Sequence, residues 1–191
     1  VGVAGSRPTY LTAETFLLTA RSDPVLIALA LALESLGARV EAVFADPVPS
    51  MYEFLPAVER ARLAPSADLD PDLIIVCDGD VARTGAIARD NAELFGRVPI
   101  VNIDHHPTNT NFGQVNWVEP SAAATSQMLV DLIEALHLPL DVDVATCLLH
   151  GLLSDTLGFR TSNTTAQVLK TATRLIEAGA PLAYLNDRIF N

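Results

Sequence analysis

The chain has 191 residues, half of them hydrophobic, and a formal net charge of −11. This length and apolar content suit one good-sized domain with a full core and exclude the disordered class. The twelve Lys and Arg residues form no run, which argues against duplex DNA as a partner. A short oligonucleotide or a nucleotide stays compatible with the charge, because one divalent cation offsets much of it locally.

In chain order, TFLLTA (15–20) reads as a buried strand. DPVLIALALALESLG (23–37) then reads as a helix, with Asp23 to cap it, Pro24 in its first position and Gly37 to end it. Its apolar run, Val25–Leu33, is far too short to span a bilayer, and nothing resembles a secretory signal. The expectation is a soluble, cytoplasmic protein with no membrane partner. ARVEAVFAD (38–46) is a second strand, and the Pro-rich stretch 47–71 is loop with short helical turns. DLIIVCD (72–78) is a third strand. ARTGAIARDNAELFG (82–96) is a helix interrupted near its start by Gly85, and VPIVNID (98–104) is a fourth strand. A polar loop leads to a short strand over 113–119. Ser121 is placed to cap a helix running through His137, and further helices are expected over 141–154, 165–179 and 181–190. Cys77 and Cys147, each inside an apolar run, read as reduced core thiols.

Strands with continuous rather than alternating hydrophobicity, separated by helices, predict an α/β fold with a parallel sheet covered on both faces and a helical C-terminal segment. In such sheets ligands bind outside the carboxyl ends of the strands. There Asp78 ends one strand, and Asp104, His105 and His106 end another. Asp155 follows a third apolar segment. Imidazole and carboxylate together suit first-row divalent metals, and an open coordination position lowers the pKa of bound water. Spacing alone leaves the alternatives open: an Asp after a strand often caps a turn, and a His pair often belongs to a hydrogen-bonded loop.

VNIDHHPTN (101–109) resembles the signature motif of the DHH phosphoesterase superfamily. DLIIVCDGDVARTG resembles that family's second motif, NWVEPSAAATSQMLVDLI the stretch after its histidines, and GLLSDTLGFRTSNTT its fourth motif. The likeness runs from about Phe16 onward and is nearest the nanoRNase and 3′-phosphoadenosine 5′-phosphate phosphatase branch, with RecJ exonucleases more distant. The resemblance implies a five-stranded parallel sheet and a manganese-dependent hydrolase holding two Mn2+ ions. It implies that Asp78 bridges the metals, with Asp80 as the other acid of that turn. His105 ligates one metal, Asp155 lies on the other side, His106 faces the scissile phosphate and Asp104 orients a histidine.

The first motif departs from the family pattern. Where His-x-x-Pro-Asp-x-Asp is expected, TARSDPVLIA retains Asp23 alone, as a metal ligand or as a helix cap. Arg160 and Asn163 are candidate phosphate contacts, Asn163 alternatively belonging to a helix cap with Thr165. Arg83 is a plausible phosphate contact or a solvated residue, and Trp117 reads as core packing. The expected organisation is a single DHH-type catalytic domain over 1–191 without the family's C-terminal (DHHA1-type) substrate-binding domain. Homodimerisation stays open. Two classes of function follow: a phosphoesterase of short oligonucleotides or nucleotides, impaired as given, or a non-catalytic DHH-like binding or regulatory module. With about half of the whole site's ligands gone, at most one firmly held ion is expected.

Overall fold

A computed structural model describes residues 13–21, 23–79, 84 and 86–191. Five strands form one sheet: β1 (Thr15–Ala20), β2 (Arg39–Phe44), β3 (Leu73–Cys77), β4 (Ile100–Asp104) and β5 (Val115–Val118). Every pairing is parallel, in the order β2-β1-β3-β4-β5. Helix α1 (Val25–Glu34) links β1 to β2. Helices α2 (Ala86–Asp90) and α3 (Ala92–Arg97) precede β4. After β5 come α4 (Thr125–Ala135), α5 (Val142–Asp155), α6 (Ala166–Glu177) and α7 (Leu182–Phe190).

The two faces of the sheet build two cores. Phe16, Leu18, Ala20, Ile75, Cys77 and Ile103 pack beneath α1, α4 and α5, whereas Leu17, Ile74, Val76 and Ile100 pack with Ile87, Leu94 and Phe95 of α2 and α3. This is the period-two alternation of a strand buried on both sides. Helix α1 is apolar almost all round because it lies between the sheet and a second helical layer, packing on α4 and α5. Trp117 packs against the larger core. Among the described residues no helix is long and apolar enough to cross a membrane.

The α/β fold, its parallel sheet and the helices on both faces agree with the sequence reading. Two boundaries differ. The helix expected over 82–96 breaks at Asn91 (φ −121°, ψ 36°), whose Nδ2 donates to the Ile87 carbonyl at 2.8 Å. A short polar side chain competing for backbone partners is a known helix interrupter. Gly85, where the interruption was expected, lies outside the described residues, as do Asp80 and Arg83. Helix α4 begins at Thr125, not beside Ser121, because Ser121 bonds to the Glu119 carboxylate instead. The N–H of Ala123, just before the helix, is met by Gln127 Oε1 at 3.0 Å, which serves the helix start in place of a Ser cap.

Candidate metal centre

The connection after β1 runs over one face of the sheet and the connection after β3 over the other. The crevice between their carboxyl ends is therefore the switch point at which doubly wound sheets bind ligands. Asp23 follows β1, Asp78 follows β3, and Asp104, His105 and His106 end β4. The register pairs Cys77 with Ile103, so Asp78 and Asp104 leave adjacent strands at one level.

Their backbones then diverge. Asp104 continues the face of Asn102 and is fully buried. Asp78 takes a left-handed conformation (φ 56°), an arrangement that Asp and Asn tolerate better than most residues. Its carboxylate accepts a hydrogen bond from Thr125 Oγ1 at 2.9 Å and lies 3.5 Å from His105 Nε2. His105 Nε2 is also 3.5 Å from Asp155 Oδ2, and His105 Nδ1 meets the Ala122 carbonyl at 3.3 Å. A backbone acceptor on one ring nitrogen turns the other toward the two acids.

Asp104 organises the neighbouring histidine. Its Oδ1 accepts from His106 Nδ1 at 2.7 Å and from the His106 backbone N–H at 3.2 Å, while Asn109 Nδ2 donates to its Oδ2 at 2.6 Å. Asn109 is itself fixed by Asn102, which also donates to Asn116 at 3.0 Å. A buried carboxylate thus sets the orientation of an imidazole through a braced amide network, the device that orients metal-binding histidines. Donor atoms of Asp78, His105 and His106 all lie within 4.8 Å of one another, the one group of described residues to do so. One carboxylate and two imidazoles at that spacing fit a first-row divalent cation.

Beside this group a cleft of about 200 Å³ is lined by Arg21, Asp23, Tyr52, Asp78, His150 and Asp155, among others. Asp23 Oδ1 accepts from the Val25 N–H at 2.9 Å, so it serves the start of α1 and faces the cleft as well. Arg21 Nε pairs with Asp46 at 2.9 Å on the rim. Three of these residues, Arg21, Tyr52 and His150, carried no signal in the sequence. His150 in particular is buried on α5 with neither ring nitrogen hydrogen-bonded, an arrangement that costs about 1–3 kcal/mol when nothing compensates it. Burial pushes it down to about 4, so its ring is neutral near pH 7.

The other phosphate candidates sit elsewhere. Arg160 donates from Nε to the Leu157 carbonyl at 2.6 Å and lies over the Phe190 ring at 5.0 Å, outside the cleft. Asn163 Nδ2 donates to the Ala123 carbonyl at 3.3 Å and so braces the segment that holds His105. Thr165 caps α6 by accepting from the Val168 N–H.

The acids of the cleft compete for charge. Burial, then the charge of Asp78, pushes Asp23 well above the usual carboxylate range, against the pull of the Val25 N–H. Burial and Asp78 likewise raise Asp155 to about 6, with His105 opposing. Burial also acts to raise Asp78, but hydrogen bonds from His105 and Thr125 bring it below its ordinary value. Burial acts to lower His105, and Asp78 and Asp155 overcome it to leave the ring raised. Asp78 is the cleft acid held below its ordinary value, whereas Asp23, Asp155 and His105 hold protons more tightly than usual, in competition with any bound cation.

This arrangement has a thermodynamic consequence. Groups whose folded pKa is raised bind protons more tightly when folded, so their stabilising contribution is present at low pH and lost as pH rises through the folded value. Asp155 acts in this sense between about pH 4 and pH 6, Asp23 from about pH 4 upward and His105 from about pH 6.5 upward, whereas the depressed Asp78 acts oppositely below about pH 4. With the cation chelated, these three raised groups should therefore lower the melting temperature at about pH 8 relative to about pH 5, with the depressed His150 opposing them. Saturating divalent cation should restore most of the loss at the higher pH. Differential scanning calorimetry across pH, with and without cation, checks this. Equal pH profiles in wild type and Asp155→Asn would show that the acids are not coupled to folding.

A family model for the N-terminal domain of the DHH family matches residues 24–152. The chain is 40% identical over 158 residues to the bifunctional oligoribonuclease and PAP phosphatase NrnA of Thermus thermophilus, a match covering 83% of this chain and 46% of that protein. It is 33% identical over 108 residues to the protein of the same name from Bacillus subtilis, covering 55% of this chain and 33% of that one. An exopolyphosphatase-related protein from Bacteroides fragilis shares the fold, with a TM-score of 0.79 at 17% identity over 94% of this chain and 57% of that one. The chain spans less than half the length of the two sequence relatives.

Proposed function

The chain belongs to the DHH family, and from that premise we propose that its strand-end cleft is a divalent-cation-dependent phosphoesterase centre for short oligonucleotides or nucleotides. The observation that carries this reading is the compact set of Asp78, His105 and His106 at the ends of adjacent strands. The names of the relatives, oligoribonuclease and PAP phosphatase, support the substrate class. The motif resemblance carries manganese as the resident cation, and the mixed imidazole and carboxylate donors are compatible with it.

A bound cation would supply a water activated for attack on phosphorus and neutralise charge on the phosphate. The chain's own groups do the holding and the aiming. Asp78 and His105 form the cation's seat, with Asp155 beside it at the end of α5. His106, kept in orientation through Nδ1 by Asp104, faces the scissile phosphate. Arg21 at the rim offers a guanidinium to a second phosphate oxygen. Asn163 acts indirectly, through the carbonyl of Ala123.

The test incubates the purified chain with Mn2+ and either 3′-phosphoadenosine 5′-phosphate or a short oligoribonucleotide, and follows release of phosphate or mononucleotide. Release that EDTA abolishes is expected. Binding of cation and nucleotide with no turnover would favour the other function class, a binding or regulatory module. A chain that neither binds the cation nor hydrolyses either substrate would overturn both readings of the cleft.

A further inference from the structure

Three carboxylates, those of Asp23, Asp78 and Asp155, share one cleft, and among its described lining residues the cation at the rim, Arg21, is already paired with Asp46. His150 lines the same cleft. It is 1% exposed, and neither Nδ1 nor Nε2 has a hydrogen-bond partner. Its ring is held edge-on by Tyr52 at 4.9 Å and by Phe54 at 6.0 Å between centroids, contacts that fix the ring without engaging a nitrogen. A merely space-filling position at this site would be met more cheaply by an apolar ring.

The local helix geometry gives the imidazole its neighbours. Positions 150 and 154, and 151 and 155, are i, i+4 pairs, so the four form one strip of α5, and all four line the cleft. Gly151 makes room there for Ser126 of α4: a Cβ would overlap Ser126 Oγ and would stand 3.9 Å from Asp23 Oδ1. Helix α1, whose first N–H bonds to Asp23, is packed against this helix. A neutral imidazole, a carboxylate from the neighbouring helix start and a carboxylate from its own helix therefore face one space.

We propose that His150 is a nitrogen ligand for a second divalent cation, held with Asp23 and Asp155 on the α5 side of Asp78. The inference rests on the cation-centre reading above only for the first ion, the one seated on Asp78 and His105 beside His106. The second set is more widely spaced than the first, and Asp155, at the end of α5 and the most exposed of the three acids, is the member with the freedom to close on an ion. His150 thus provides a donor that the sequence, read by motif, leaves out of account, and it changes the expected stoichiometry from at most one ion to two.

The test counts bound Mn2+ per chain by equilibrium dialysis and calorimetric titration for wild type and for His150→Phe, which preserves the ring contacts with Tyr52 and Phe54. Two ions are expected in wild type. In His150→Phe the weaker should bind at least about tenfold less tightly, since loss of even an indirect support commonly costs that much. The other ion should be unaffected. On the unaltered chain, labelled with nitrogen-15 and loaded with an NMR-active cadmium isotope, a scalar coupling between cadmium and a His150 ring nitrogen is expected, which keeps the test valid if the variant fails to fold. Two ions bound equally by both proteins, or one ion indifferent to His150, or two cadmium ions without that coupling, would overturn this inference and leave the Asp78–His105–His106 centre standing. No ion bound by wild type would instead overturn the reading on which it rests.

Discussion

Asp78→Asn should abolish firm cation binding and lower cation-dependent hydrolysis about a thousandfold, while the metal-free chain folds at least as well as wild type. The loss is large because the substitution removes the cleft carboxylate that is held below its ordinary value and that groups with both histidines. Metal stabilisation of charge at phosphorus is worth several kcal/mol, and each 1.4 kcal/mol or so is a factor of ten in rate. Folding should survive for two reasons. Asn tolerates the left-handed backbone at position 78, and it relieves repulsion that raises Asp23 and Asp155. Asp78→Ala is the informative contrast, since it adds backbone strain of about 1–2 kcal/mol that Asn avoids. Titration calorimetry and thermal melts read both effects. Wild-type cation affinity in Asp78→Asn would show that the ion, if any, lies elsewhere.

Asp104→Ala should destabilise the chain by about 3 kcal/mol, the scale expected when a buried charged acceptor is removed and its donors are stranded. Those donors are His106 Nδ1, the His106 N–H and Asn109 Nδ2, and the last belongs to a network reaching Asn102 and Asn116. Asp104→Asn keeps the volume and part of the bonding, so it should fold. It should nevertheless lower cation affinity or turnover about 10–100-fold, because the imidazole it orients loses its anionic partner. Urea denaturation measures the first effect and calorimetry with initial rates the second. If Asp104→Asn left both affinity and rate unchanged, the orienting role assigned to Asp104 would be wrong, and the network would be purely structural. The pair of variants separates stability from function, which neither does alone.

The sequence by itself determined the sheet. Continuous apolar runs ended by Asp78 and by Asp104–His106 located β3 and β4 to within a residue or two, because a strand buried on both faces has few other ways to read. The same runs, together with the general rule for the ends of parallel strands, placed acids and histidines at one edge. Local competition between side chain and backbone was less legible: Asn91 broke a helix and Gln127 rather than Ser121 served the start of another, each through a hydrogen bond that periodicity does not encode. Only the tertiary structure decided which residues share the cleft. Arg21, Tyr52 and His150 come from a strand end, a loop turn and the middle of a helix, and are far apart in the chain. Read along the sequence, His150 is one polar residue in an apolar helix. Its burial, its unpaired nitrogens and its place among three carboxylates arise when α5 packs on α1 across the sheet's end, since helix periodicity dictates that one face is buried but not what that face will meet.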